Sequence, residues 1–166
     1  VCPFQSNGCD KILTLRDDDH RDICQFKPIM CPLRPFRLPV CNWKNSTKNL
    51  MEHLRGCHAD SYKIMHGPHF SIDIPYYSDQ FQHFIIFAFN KVFFMSVVVK
   101  NNVVNYRLEL LGPMAECLKF NCINQFILSS RFSTTCEFPP SPYWRMFEGG
   151  SFMGGFDIEF KLKVTI

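Results

Sequence analysis

Two stretches near the start of the chain share one order of cysteine and histidine. They are CPFQSNGCDKILTLRDDDHRDIC over residues 2–24 and CPLRPFRLPVCNWKNSTKNLMEHLRGCH over residues 31–58. Each has two cysteines, a gap, a histidine and one further cysteine or histidine, an order in which a short hairpin and a helix can surround one ion. Thiolate sulfur and imidazole nitrogen suit zinc, and four protein ligands leave no open position for a substrate. The pattern therefore predicts two structural zinc sites.

Eight residues are the candidate zinc ligands in this repeat. They are Cys2, Cys9, His20, Cys24, Cys31, Cys41, His53 and His58. Cys57 is an alternative to His58, because the two are neighbours and only one side chain can point inward. Scattered structural cysteines and surface histidines are the other interpretation, which two repeats in the same order disfavour. Without metal we expect residues 2–58 not to fold, since so short a finger gains little from its own core.

Composition and charge limit the classes of function. The 166 residues are 46% hydrophobic and 20% charged, which is enough to build a packed core. Residues 1–66 hold 10 Lys/Arg against 7 Asp/Glu, and residues 67–166 hold 8 against 8. The larger part therefore has no basic footprint for a phosphate backbone. A nucleic-acid-binding zinc-finger protein is the least favoured hypothesis, and we expect no membrane partner because no apolar run is long enough to span a bilayer.

The remaining cysteines do not indicate catalysis. Cys117, Cys122 and Cys136 have no histidine nearby in the sequence, so we expect small buried hydrophobic residues rather than nucleophiles. The odd total of 9 cysteines argues against a fully paired disulfide framework. Both observations favour a reducing compartment, the cytoplasm with the nucleus as a second location. The chain begins with Val1 rather than methionine, and we interpret it as a fragment with no catalytic residues of its own.

The composition changes at Gly67-Pro68, where we place a domain boundary. Residues 1–66 form the predicted tandem zinc-finger region, and residues 67–166 read as strands. The apolar run from Phe84 to Phe89 opens a predicted three-stranded antiparallel meander that ends near Leu111. Strict apolar–polar alternation over Phe156–Ile166 predicts a strand with one buried face. The fold class is therefore mainly β, two small fingers followed by an antiparallel sandwich, with a short helix possible between Met114 and Phe126.

At this point the residues resemble a known family. Residues 20–28 (HRDICQFKP) followed by Cys31-Pro32 resemble the zinc-finger region of the seven-in-absentia (SIAH-type) E3 ubiquitin ligases. Cys41-Asn42-Trp43 and His53-Leu54 followed by His58 resemble the same region, and residues 106–110 (YRLEL) are similar to a segment of the family's substrate-binding domain. The gap from Cys31 to Cys41 is longer than the family pattern and the gap from Cys9 to His20 is one residue shorter. A longer loop costs little closure entropy, so zinc binding should survive.

The resemblance implies a ligase built from a RING domain, two zinc fingers and a TRAF-like β-sandwich. In that layout the RING recruits the E2 enzyme, and the sandwich forms a homodimer and holds protein substrates or adaptor peptides. This chain would then be the substrate-recognition and dimerisation region, with the RING upstream, directing target proteins to ubiquitination and proteasomal degradation. A zinc-stabilised adaptor without ligase function is the alternative. The family's peptide groove points to Phe70, Ile72, Tyr76 and Tyr77, for which sandwich core and linker packing are the competing interpretation.

Overall fold

The fold is mainly β, as the sequence predicts. The computed structural model describes residues 1–14, 20–36, 39–74, 80–100, 103–112, 120–128, 133–138, 145–147 and 156–164. The strands in chain order are β1 Ile29–Met30, β2 Lys44–Asn45, β3 Lys63–His66, β4 His69–Ile74, β5 Gln80–Ala88, β6 Lys91–Lys100, β7 Val103–Leu110, β8 Phe120–Leu128, β9 Ser133–Phe138, β10 Arg145–Phe147 and β11 Phe156–Val164.

Among the residues that the structure describes, helices are short and all lie before β3. The α-helices are α1 His20–Ile23 and α2 Leu50–Cys57. Single 3-10 turns occur at Gln5–Asn7, Arg34–Phe36, Thr47–Asn49 and Ala59–Ser61. No helix in the described ranges is long and apolar enough to cross a membrane.

Two sheets make up the larger part of the fold. One has the strand order β10-β7-β6-β5-β3 and the other has the order β4-β11-β8-β9. Pairing among their described strands is antiparallel with one exception, because β3 runs parallel to β5, with Lys63 opposite Phe84. β3 precedes the predicted sandwich of residues 67–166, and every described pairing between strands of that range is antiparallel, as predicted. A parallel pair needs a crossover connection, and here the chain passes through β4 in the other sheet before it returns as β5.

The predicted meander is confirmed. β5, β6 and β7 are consecutive antiparallel neighbours, in a register that places Phe84 opposite Met95 and Met95 opposite Leu108. Side chains alternate along β7: Tyr106 and Leu108 are buried, while Arg107 and Glu109 form an ion pair on the other face. One face of this strand therefore belongs to a core.

That core lies between the two sheets. Side chains from β5, β6 and β7 form one buried cluster with Ile72 of β4 and Phe120 of β8. The members from the larger sheet are Phe84, Ile86, Ala88, Phe93, Met95, Val97, Val99, Tyr106 and Leu108. Strands that share one packed layer across two sheets have the arrangement of a β-sandwich. The apolar surface buried here is the main source of stability for this part of the fold.

A second core joins the second finger to the outer face of the larger sheet. Ile85 of β5 and Phe94 of β6 are fully buried against Leu33, Leu50 and Leu54, which are fully buried too. Both faces of β5 are therefore covered, one by the opposite sheet and one by the finger. A strand buried on both faces has a continuous apolar sequence rather than an alternating one, which explains the run that begins at Phe84.

Three further predictions concern residues 67–166: a possible helix, the final strand and the domain boundary. The possible helix between Met114 and Phe126 is wrong from Phe120 onward, because those residues form β8, which pairs with both β9 and β11. Residues 113–119 lie outside the described ranges. The predicted final strand is confirmed as β11, which lies between β4 and β8. The domain boundary at Gly67-Pro68 stays a prediction, although β3 before it already pairs with β5 after it.

Candidate metal centres

The first cluster of cysteine and histidine lies around an irregular hairpin. Cys2 and Cys9 flank the 3-10 turn, and the Cys2 amide donates to the Lys11 carbonyl at 3.0 Å. Helix α1 carries His20 and is followed by Cys24. Residues 11–14, which follow the second cysteine, have no regular secondary structure, and Leu15 lies outside the described residues.

Gly8 shapes the turn between the first two cysteines. Its φ of 104° lies in the left-handed region, and a Cβ there would stand 3.3 Å from the Phe26 ring. The neighbouring Asn7 side-chain amide donates to the Phe26 carbonyl at 3.0 Å. The turn is thus fixed to the segment that follows Cys24, which brings both halves of the site together.

The second cluster combines a hairpin with helix α2. β1 and β2 pair in antiparallel register, and the Cys31 amide donates to the Trp43 carbonyl at 3.1 Å. Helix α2 presents His53, and the chain leaves the helix at His58, whose amide donates to the Leu54 carbonyl at 2.8 Å. Leu50 and Leu54 lie on the buried side of the same helix, four residues apart.

The ligand atoms stand at the distances that a tetrahedral zinc site requires. Cys2 Sγ and Cys24 Sγ are 3.8 Å apart, and Cys9 Sγ and His20 Nε2 are 3.5 Å apart. In the second cluster the Cys31–His58 and Cys41–His53 sulfur–nitrogen distances are 3.5 and 3.4 Å. Ideal Zn–S and Zn–N bonds give about 3.8 Å between two sulfurs and about 3.6 Å between sulfur and nitrogen.

Each cluster is closed. The four candidate atoms of each lie within 4.8 Å of one another, in the sets Cys2, Cys9, His20, Cys24 and Cys31, Cys41, His53, His58. Three sulfurs with one nitrogen, and two of each, are donor sets of structural zinc. The two predicted Zn²⁺ ions therefore fit these residues, and zinc would supply a cross-link rather than chemistry on a substrate.

The structure separates the two candidates for the last ligand. His58 Nε2 belongs to the second cluster, whereas the Cys57 thiol is exposed. Cys57 is the last residue of α2 and His58 has left the helical conformation, so the two side chains point in different directions. The geometry therefore selects His58.

Backbone amides hydrogen-bond to the sulfur atoms two residues earlier in the chain. The Phe4 amide donates to Cys2 Sγ at 3.4 Å, and the Phe26 and Leu33 amides do the same for Cys24 and Cys31. Such bonds orient a thiolate and stabilise its negative charge on metal. In Cys2 burial raises the pKa, but the Phe4 amide, the neighbouring thiols and the positive charge of the N-terminus together outweigh it, so the pKa is lowered.

Two other buried thiols, those of Cys24 and Cys31, have a raised pKa before metal binds. Burial raises the pKa of Cys24 and of Cys31 to about 11, so both are protonated at neutral pH. Zinc binds the thiolate, and its uptake therefore releases these protons. For His53, burial and then the neighbouring His58 lower the pKa, which favours the neutral imidazole that a metal needs.

Trp43 packs on a zinc ligand. Its ring stacks on His53 with centroids 4.5 Å apart and an angle of 5° between the planes. His53 in turn meets His58 edge to face at 4.9 Å. The indole therefore fixes the orientation of one imidazole with respect to the other.

Replacing Trp43 with alanine should weaken the second site selectively. Loss of an outer partner of a ligand typically costs about 10–100-fold in metal affinity. We expect that loss for the second ion in a competition titration with a chromophoric chelator, and little change for the first ion, which is the internal control. Trp43→Phe should recover much of the affinity because it keeps a stacking ring. Equal weakening of both ions would contradict this role.

The predicted peptide-groove residues have mixed outcomes. Ile72 is only 2% exposed and belongs to the core between the sheets, so it is wrong as a groove contact. Phe70 is half-buried and packs against the same core. Tyr76 and Tyr77 lie outside the described residues. Strand alternation cannot distinguish these possibilities, because a groove-facing and a core-facing residue have the same apolar pattern.

Comparison with known proteins agrees with the metal clusters. Residues 1–71 match the family model described as Sina, zinc finger. The comparison with curated proteins gives no match. The matched region contains both clusters, so residues 1–71 form a Sina-type zinc-finger region with two structural zinc sites.

Proposed function

We propose that this chain is the substrate-recognition and dimerisation region of a SIAH-type E3 ubiquitin ligase. In this proposal a RING elsewhere in the parent protein binds the E2 enzyme, and the β part, of TRAF-like type, binds the protein substrate. The chain then contributes proximity: it holds the target where the charged E2 can transfer ubiquitin, and degradation by the proteasome follows. The proposed location is the cytoplasm, with the nucleus second.

One observation carries the proposal. A Sina-type zinc-finger region is packed against a two-sheet β unit, which is the order of parts that the resemblance implies. Both metal sites have four protein ligands, so they are suited to holding surfaces in place rather than to catalysis. Similar residues in β7, over 106–110, add weaker support.

Ubiquitin transfer by the parent protein tests the proposal. The full open reading frame is incubated with E1, a panel of E2 enzymes, ATP, ubiquitin and zinc. We expect ubiquitin chains that disappear when the segment before Val1 is deleted. A folded parent with zinc in both finger sites that transfers no ubiquitin with any E2 would refute the ligase.

A non-catalytic adaptor is the second candidate. It is favoured by the same closed metal sites and needs no RING. The transfer assay separates the two, because an adaptor retains its protein partners but adds no ubiquitin to them.

A further inference from the structure

We propose that the two zinc sites are coupled, so that zinc bound in one site tightens the binding of zinc in the other through a contact between Phe26 and Lys48. Phe26 belongs to the first finger and Lys48 to the second. The coupling is reciprocal, because a contact that forms only when both fingers are folded stabilises the two loaded sites equally. This inference concerns the metal sites and does not depend on the proposed ligase function.

Phe26 is held in place by the first metal site. Its amide donates to the sulfur of Cys24, and its carbonyl accepts from the Asn7 side-chain amide at 3.0 Å. The half-buried ring packs against the cluster of Cys2, Cys9 and Cys24. All of these contacts are with residues at or between the metal ligands, whose arrangement depends on the ion. Zinc in the first site therefore fixes where the Phe26 ring stands.

Lys48 lies over this ring. Its Nζ is 4.8 Å from the ring centroid, which is within the range of a cation–π interaction. Gly8 borders the same place, since a Cβ there would stand 3.3 Å from Cε1 of Phe26 and 3.9 Å from Lys48 Nζ. The first finger thus supplies an aromatic face and the second finger supplies the ammonium group that rests on it.

Lys48 also belongs to the segment that leads into helix α2. It lies in the 3-10 turn Thr47–Asn49, and α2 begins at the next residue. The helix carries His53, and His58 follows its last residue; both belong to the second metal cluster. A fixed Lys48 therefore favours the folded start of the helix that positions two of the four ligands of the second ion.

The helix dipole makes the effect of Lys48 depend on the first site. A positive charge near the N-terminus of a helix is unfavourable by itself, because the dipole is positive at that end. The side chain of Lys48 is exposed, so water alone would screen its charge if the Phe26 ring were absent. Lys48 should therefore help the second site only while the first finger holds Phe26 in place.

Chelator-competition titrations of the 166-residue chain test the coupling with zinc alone. They measure the affinity of the second site with the first site intact and with it removed by Cys9→Ser, and the amide NMR signals of Gly8 and Leu54 assign the occupancy of each site. We expect Lys48→Met to weaken both sites by about two- to fivefold in the otherwise wild-type chain, which is the strength of an exposed cation–π contact. In the Cys9→Ser chain it should not weaken the second site. This coupling is small compared with the loss of a ligand, so each finger still folds around its own ion.

Three variants distinguish the contact from a general effect of charge. Lys48→Arg should keep the coupling, because a guanidinium also stacks on an aromatic ring. Lys44→Met removes another exposed lysine of the second finger, on β2, and should change neither site. In a Phe26→Leu chain, Lys48→Met should no longer weaken the second site. Equal weakening by Lys48→Met with and without the first site would assign Lys48 a role within its own finger, and no weakening in either chain would make the sites independent. Each of these two results would refute the coupling.

Discussion

Cys41→Ser will destabilise the β-sheets as well as the second finger. The substitution removes one of four ligands, and structural zinc contributes about 10–16 kcal/mol in zinc-finger peptides. That exceeds or matches the whole stability of an ordinary domain, about 5–15 kcal/mol. Once the finger unfolds, Leu33, Leu50 and Leu54 no longer cover Ile85 and Phe94. The outer face of the larger sheet is then exposed to solvent.

Fluorescent-dye binding and amide exchange measure this effect. We expect the variant to bind one zinc ion, to bind the dye 8-anilinonaphthalene-1-sulfonate and to lose amide protection in β5 and β6. Cys9→Ser is the matched control, since it removes the second cysteine of the other site. The first site has its own cluster of Cys2, Cys9 and Cys24, separate from the sheet. Its loss should unfold residues 2–24 and leave protection of β5 and β6 intact. Equal damage from both variants, or none to the sheet from Cys41→Ser, would contradict the account.

Phe94→Ala will lower the free energy of unfolding by about 3–5 kcal/mol, the usual cost of truncating a buried phenylalanine. The Phe94 ring is fully buried where the finger meets the sheet, 6.3 Å from the Phe36 ring and 5.8 Å from the His83 ring. Truncation leaves a cavity between these two rings, so the finger should also pack less tightly against the sheet. Urea unfolding followed by circular dichroism gives the free energy, and chelator competition gives the zinc affinity of each site.

Two variants control for this effect. Phe89→Ala changes a phenylalanine that is 41% exposed in the turn after β5, and it should cost much less. Phe94→Leu refills part of the cavity and should recover more than half of the stability. We expect Phe94→Ala to weaken the second zinc site and spare the first. A loss below about 1 kcal/mol would mean that the finger does not depend on this contact.

The zinc ligands could be predicted from the sequence because the signal is local. Each set lies within a short stretch, and zinc chemistry permits few residue types. The choice between Cys57 and His58 could not be made, because spacing allows either. It depends on where α2 ends, and the bounds of a helix are set by a few backbone hydrogen bonds.

The docking of the finger could not be predicted for a different reason. The apolar run from Phe84 indicates a strand buried on both faces, but nothing in it says what covers the second face. Leu33 and Phe36 cover that face, and they belong to a loop far earlier in the chain. Contacts over such a distance in the sequence leave no periodic pattern. The prediction of Ile72 as a groove residue was wrong for the same reason. Its neighbours in the core belong to strands that lie elsewhere in the sequence.

The zinc content of the intact chain shows whether both clusters of cysteine and histidine hold a structural zinc ion. Native mass spectrometry, at a chelator concentration that strips weakly held metal, counts the ions bound to the wild type, Cys57→Ser and His58→Ala. We expect two zinc ions for the wild type and for Cys57→Ser, and one for His58→Ala. Fewer than two ions in the wild type, or a loss from Cys57→Ser that His58→Ala does not show, would contradict this expectation.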